Sequence, residues 1–118
     1  MLKELAMSLT SIVKNNARIV TVNVDRIDAA MAIRFKEDMR AETEPAPDHV
    51  ILDLSSVNFI DSSGLGAIVA AMKQLGDHRR LDLAGLTPVV DKVFRLTRMD
   101  TVFKLFPSLD DALGALSD

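Results

Sequence analysis

The residues best placed to do chemistry lie in one short segment, Asp61-Ser62-Ser63-Gly64-Leu65-Gly66. An apolar run precedes this segment and a longer one follows it, a pattern that predicts a turn between a strand and a helix. A carboxylate and two hydroxyls in such a turn could bind phosphate, carry out nucleophilic catalysis, cap the helix or present a serine for modification. The neighbouring residue types separate these four possibilities.

Two of the possibilities require residues that the turn lacks. A phosphate-binding loop needs the pattern G-x-x-x-x-G-K-[ST], yet the turn has no lysine and Asp61 would repel a phosphate. A serine hydrolase needs G-x-S-x-G and a positioned histidine, whereas we predict that His49 and His78 are solvated loop residues. The chain has no cysteine, which excludes disulfides, thiol catalysis and thiolate metal sites. We therefore expect a protein that is not an enzyme and that uses no metal and no cofactor.

The other two possibilities are compatible with each other. Asp61 or Ser62 is expected to cap the helix by accepting hydrogen bonds from backbone N–H groups, while Gly64 and Gly66 permit close packing. A serine at the same place can also accept a phosphoryl group, which adds about −1.5 to −2 charges. The helix dipole would stabilise that charge locally, so the fold should survive while a partner seated on the turn would be repelled.

The predicted helix after the turn, 65–75, is apolar on all sides up to Met72. Its larger side chains form a stripe that we expect to face a sheet: Leu65, Ile68, Val69, Met72 and Leu75. The opposite side then carries only small residues: Gly64, Ala67, Ala70 and Ala71. This small-residue face has two interpretations, a flat surface for a partner or close packing against a neighbouring helix of the same domain.

Hydrophobic periodicity predicts the elements that position the turn. Strands are predicted at 7–14 and 19–24, joined by a turn at Asn15-Asn16, and then at 50–54, 81–84 and 102–106. Helices are predicted at 29–43 with Asp28 as N-cap, at 65–75, and at 109–116 after Pro107-Ser108. A further helix is predicted to begin at Thr87-Pro88, and its apolar side consists of Val89, Val90, Val93, Phe94 and Leu96. The order β-β-α-β-α-β-α-β-α predicts an α/β fold: a mixed, largely parallel sheet with an N-terminal hairpin and about four helices, in a single domain of residues 1–118.

The overall composition limits the partners. The chain has 118 residues, a net charge of −3 and only 4% aromatic residues, which disfavours binding to nucleic acid or to anionic membranes. No apolar run approaches the roughly 18 residues of a transmembrane helix, and the first residues do not form a signal-peptide pattern. We therefore expect a cytoplasmic protein without nucleic-acid binding or direct membrane insertion.

The segment Val50–Gly66, V-I-L-D-L-S-S-V-N-F-I-D-S-S-G-L-G, resembles the STAS family of sulfate-transporter and anti-sigma-factor-antagonist domains. It is most similar to the free-standing bacterial anti-sigma factor antagonists, also called anti-anti-sigma factors. The segment Val24–Ala30 and, more weakly, Leu83–Thr97 extend this resemblance over nearly the whole chain. The sequence departs from the family at Arg98, where many relatives have a glycine, and this leaves the end of the third helix open.

The resemblance implies a phosphorylation-controlled partner switch in transcription regulation. The unphosphorylated protein would bind an anti-sigma factor, which is also a serine kinase of the histidine-kinase-like ATPase superfamily, and thereby free the sigma factor. Phosphorylation of Ser63, with Ser62 as the alternative acceptor, would end the complex, and a metal-dependent serine phosphatase would reverse the change. The implied partner-binding residues are Asp61, Ser62, Ser63, Gly64, Leu65, Gly66 and Ala67, together with Asp25 and Asp28 before the first helix. A second function stays open, that of a non-switching cytoplasmic subunit of a transporter ATPase or of another signalling complex.

Overall fold

A computed structural model describes residues 8–116 as strands and helices in alternation after an initial hairpin. The elements, in chain order, are β1 (Leu9–Lys14), β2 (Ala17–Val22), β3 (Arg26–Ile27), α1 (Ala32–Thr43), β4 (His49–Asp53), β5 (Phe59–Ile60), α2 (Ser62–Leu75), β6 (Arg80–Ala84), α3 (Pro88–Leu96), a 3-10 helix (Met99–Thr101), β7 (Leu105–Phe106) and α4 (Leu109–Ala115). The predicted α/β fold is confirmed. No helix between residues 8 and 116 has the length and hydrophobicity needed to cross a membrane.

The main sheet has the strand order β1-β2-β4-β6-β7. β1 and β2 are antiparallel, and the other neighbouring strands are parallel. The hairpin closes with Lys14 opposite Ala17, and both turn residues, Asn15 and Asn16, have the positive φ that the sequence predicts for them. β4 lies at the centre, and its three middle residues, Val50, Ile51 and Leu52, are fully buried because helices cover both faces of the sheet.

Alternation along the strands divides the core into two layers. Val20, Val50 and Leu52 belong to the larger layer, which includes Phe35 and Met39 of α1 and Ile68 of α2. On the other face α4 packs on the main sheet through the second layer: Ala17, Ile19, Ile51, Ala84, Ala112 and Leu113. Helix α4 begins as predicted, because the Ser108 hydroxyl accepts a hydrogen bond from the Asp111 N–H at 3.0 Å.

Several predicted boundaries are wrong. α1 begins at Ala32 rather than Ala29, and Asp28 does not cap it, since Met31 occupies the N-cap position without a side-chain hydrogen bond. The predicted strand at 102–106 is reduced to Leu105–Phe106 after the 3-10 helix. α2 begins at Ser62, so the two serines lie in its first turn instead of in the loop before it. Met7, the first residue of the predicted first strand, lies outside the described residues.

Two further predictions about individual side chains are wrong. His49 is not a solvated loop residue, because it begins β4 and its Nε2 lies 2.7 Å from the carboxylate of the buried Asp82. Helix α3 buries only Val90 and Phe94, while Val89 and Leu96 of its predicted apolar side are exposed.

The end of α3, which the sequence leaves open, has a left-handed residue. α3 ends at Leu96, and Arg98 then adopts φ 65° and ψ 22°. That conformation costs an L-residue roughly 1–2 kcal/mol relative to a right-handed one, and glycine avoids most of this cost. The position therefore has the geometry that favours glycine, although the chain places arginine there.

Candidate functional site

Asp61 joins the beginning of α2 to the loop between β3 and α1. It occupies the N-cap position of α2, and one carboxylate oxygen accepts a hydrogen bond from the Gly64 N–H at 2.9 Å. The other oxygen accepts one from the Ala29 N–H at 3.1 Å. The Gly64 N–H, helped by those of Ala29 and Ser63 and opposed by partial desolvation, lowers the pKa of Asp61 below its ordinary value of 3.8. A single ionised carboxylate thus fixes two segments relative to each other.

The two serines of the turn are exposed at the start of α2. Ser62 and Ser63 are its first two residues, so their hydroxyls lie at the positive end of the helix dipole. Neither hydroxyl has a hydrogen-bond partner within residues 8–116. Both are therefore accessible to another protein, and the geometry does not distinguish one serine from the other as an acceptor.

At Gly64, α2 lies very close to the backbone of β3. A Cβ atom added at Gly64 would lie 2.0 Å from the carbonyl oxygen of Ile27, so a side chain has no room there. Gly64 is buried in this contact, and its contact with a partner stays a prediction. Gly66 differs, because it is exposed and a Cβ atom built there meets nothing within 4 Å.

The small-residue face of α2 packs inside the domain. Ala67 is only 2% exposed and Ala71 is also buried, since α1 lies along this side of α2. Ala67 and Ala71 therefore follow the second interpretation, close packing within the domain, while the expected partner contact by Ala67 stays a prediction. The helix is rotated from its predicted orientation, so Leu65, Val69 and Met72 of the predicted stripe are only partly buried.

The loop before α1 lies beside the turn because β3 pairs with β5 in a separate, parallel two-stranded sheet. Asp25 is exposed and its carbonyl oxygen accepts a hydrogen bond from the Asn58 N–H at 2.7 Å. Asp28 accepts one from the Ala30 N–H at 3.1 Å. We use the name turn surface for the accessible residues that the structure brings together here: Asp25, Asp28, Asp61, Ser62, Ser63, Leu65 and Gly66.

Two further residues at this surface, Arg26 and Phe59, are not among those predicted from the sequence. They face each other in the β3–β5 pair, with the guanidinium carbon 4.4 Å from the centroid of the ring. The Arg26 Nε also donates a hydrogen bond to Asp28 at 3.0 Å. Strands of two residues have no detectable periodicity, so the available signal is that both residues lie inside segments that carry the family resemblance, Val24–Ala30 and Val50–Gly66.

Comparison with known proteins agrees with this architecture. Residues 9–112 match the family model of the STAS domain, and the chain belongs to that family. Anti-sigma-F factor antagonist RsfB of Mycobacterium tuberculosis is 26% identical over 107 residues, which cover 90% of this chain and 88% of RsfB. The crystal structure of an anti-sigma factor antagonist from Mycobacterium paratuberculosis superposes with a TM-score of 0.82 at 29% identity and covers 93% of both chains. An anti-sigma-factor antagonist (STAS) domain protein from Planctomyces limnophilus, 18% identical, shares the fold with a TM-score of 0.82 over 93% of this chain and 98% of its own.

Proposed function

We propose that this protein is an anti-sigma factor antagonist that binds an anti-sigma factor through the turn surface and so frees the sigma factor. The observation that carries the proposal is the pair of exposed serines at the start of α2, held in place by the Asp61 carboxylate. Family membership and the names of the relatives support the same function. The protein would act in the cytoplasm by binding alone, as one domain, without a cofactor and without contact with nucleic acid.

We further propose that phosphorylation of Ser63, with Ser62 as the alternative, switches this binding off. The bound anti-sigma factor would be the serine kinase, and a metal-dependent serine phosphatase would restore the unphosphorylated form. A phosphate adds about −1.5 to −2 charges beside the ionised Asp61, and the helix dipole offsets part of this within the free protein. In a dry interface the same charge acts far more strongly, since two unit charges 4 Å apart interact by about 1 kcal/mol in water and about 4 kcal/mol near a protein surface.

Intact-mass measurement tests the proposed acceptor. Each ATPase-type anti-sigma factor kinase of the source organism is incubated with the wild-type protein and ATP, and one of them should add about 80 Da, the mass of one phosphoryl group. Ser63→Ala should abolish the gain, while the matched variant Ser62→Ala should keep it. A gain that persists in Ser63→Ala and disappears in Ser62→Ala would move the acceptor to Ser62.

Binding measurements test the antagonist function itself. The unphosphorylated protein should bind the same kinase and displace its sigma factor, and Ser63→Asp should weaken this binding. No binding to any of these kinases would contradict the proposal. Stable association with a transporter ATPase, unchanged in Ser63→Asp, would instead support the non-switching alternative.

A further inference from the structure

We propose that Arg26, supported by Phe59, determines partner specificity at the turn surface by binding a carboxylate of the anti-sigma factor. This inference rests on the proposed function and extends it from a surface to one chemical contact. Arginine is among the residue types that most often dominate binding energy in protein interfaces, and phenylalanine is enriched at their cores.

The Arg26 side chain is held in one orientation although it is exposed. Its guanidinium group stacks on Phe59 at 4.4 Å, and its Nε is anchored to Asp28 at 3.0 Å. The backbone beneath is also fixed, because Arg26 and Phe59 lie opposite each other in the β3–β5 pair. Much of the entropy that a free arginine loses on binding is therefore already lost in the unbound protein.

The terminal nitrogens of Arg26 remain available to a partner. Within residues 8–116 only the Nε of Arg26 donates a hydrogen bond from this side chain, and the side chain is 56% exposed. The two terminal amino groups can still donate two parallel hydrogen bonds to one carboxylate, the geometry that arginine forms and lysine cannot. Phe59, which is 41% exposed, adds apolar area next to this fork.

The charges around Arg26 explain why this contact would confer specificity. Its neighbours at the turn surface, Asp25, Asp28 and Asp61, are acidic, so a partner must present mainly basic groups here. A partner that is basic throughout would place like charges against Arg26, whereas one with a carboxylate at this point would match the whole pattern. We therefore expect an Asp or Glu of the anti-sigma factor opposite Arg26.

Calorimetric titration of the kinase identified by the mass measurement tests this contact. Arg26→Glu should weaken binding by about tenfold or more, as expected for a central interface residue. Arg26→Lys should lie between this variant and the wild type, because lysine keeps the charge but loses the fork. The matched control is Arg40→Glu, which should stay within about twofold. Arg40 lies on α1 and donates a hydrogen bond to Gln74. Gln74 is near the end of α2, roughly 16 Å along the helix from Ser63.

The possible outcomes separate this inference from the proposed function. If no kinase binds the wild-type protein, both are overturned. If the wild type binds and Arg26→Glu binds within about twofold of it, only the role of Arg26 is overturned. Equal weakening by Arg40→Glu would also overturn it, since total charge would then account for the loss. Substituting lysine for the matching Asp or Glu of the partner should restore the affinity of Arg26→Glu. Circular dichroism checks that each variant is folded. If Arg26→Glu does not fold, Arg26→Gln replaces it.

Discussion

Replacing Gly64 with alanine tests the close contact between α2 and β3. The new Cβ atom would lie 2.0 Å from the Ile27 carbonyl oxygen and 2.8 Å from its carbonyl carbon, where separations under 3.0 Å are essentially never found. The helix and the strand would have to separate by about 1 Å, because both obstructing atoms belong to the backbone and cannot rotate away. The substitution should therefore disturb the whole beginning of α2.

The expected loss of stability follows from two opposing effects. Overpacking of this kind costs about 1–3 kcal/mol, whereas replacing glycine by alanine inside a helix gains up to about 1 kcal/mol. The gain is smaller at Gly64 because the residue lies in the first helical turn, where its N–H already bonds to Asp61. We expect Gly64→Ala to lower the free energy of unfolding by about 2 kcal/mol and Tm by roughly 6–10 °C.

Gly66→Ala provides the matched control in the same helical turn. It adds the same methyl group where nothing lies within 4 Å, so we expect it to raise stability by up to about 1 kcal/mol. The chain has no Trp and no Tyr, so urea unfolding is followed by far-ultraviolet circular dichroism. If Gly64→Ala were as stable as the wild type, or if both variants shifted in the same direction, the inferred close approach of Ile27 would be refuted.

Two further predictions concern the end of α3 and the ionisation of Asp61. Arg98→Gly should raise the free energy of unfolding in urea by about 0.5–1 kcal/mol, because Arg98 has a φ of 65°. The control Thr97→Gly, at a φ of −91°, should not raise it, and equal effects of the two substitutions would contradict the prediction. Since folding lowers the pKa of Asp61, its carboxylate stabilises the fold fully above its ordinary value of 3.8, and this contribution is lost as the pH falls through 3.8 towards the folded value. Asp61→Asn should thus be less stable than the wild type at about pH 7 and closer to it at about pH 3. An equal difference in the free energy of unfolding between the two proteins at both pH values would exclude the predicted linkage.

Regular periodicity made the main sheet and most helices predictable. β4 is a short apolar run that reads as a central strand, and Asn15-Asn16 is a turn because asparagine tolerates the left-handed backbone found there. The rotation of α2 was not predictable in the same way. A helix that is apolar all round has no polar face to orient it, and the final orientation depends on packing between α1 and α2, in which Ala67 and Ala71 are buried.

The remaining errors come from contacts between residues far apart in sequence. Phe103 is buried edge-on against Phe94, with ring centroids 6.2 Å apart. It lies outside the sheet, although the sequence around it has the pattern of a strand. His49 pairs with Asp82, which is on the adjacent strand and 33 positions away. The local hydrophobic pattern distinguishes a helix from a strand, but it does not say which other element packs against it. These side chains could therefore be placed only once the register of the sheet was known.

The candidate site shows the same division between local and long-range information. The residue types of the turn indicate a capped helix with accessible serines, and the structure has that arrangement. That Asp61 also bonds to Ala29 could not be predicted, because this contact needs β3 and β5 to pair and Gly64 to leave room for Ile27. The part of the site that comes from one segment was therefore predictable, and the part that joins two segments was not.

The joining of these two segments bears on how the proposed switch would work. Asp61 bonds to both the helix and the loop before α1, and Gly64 packs directly on Ile27, so neither segment can move away from the other without breaking these contacts. A phosphate on Ser63 would stand at the beginning of a helix that already tolerates negative charge, and nothing in this geometry requires the backbone to rearrange. The phosphate would instead enlarge an acidic surface that the partner must desolvate, and the loss of binding would follow from charge rather than from a change of conformation.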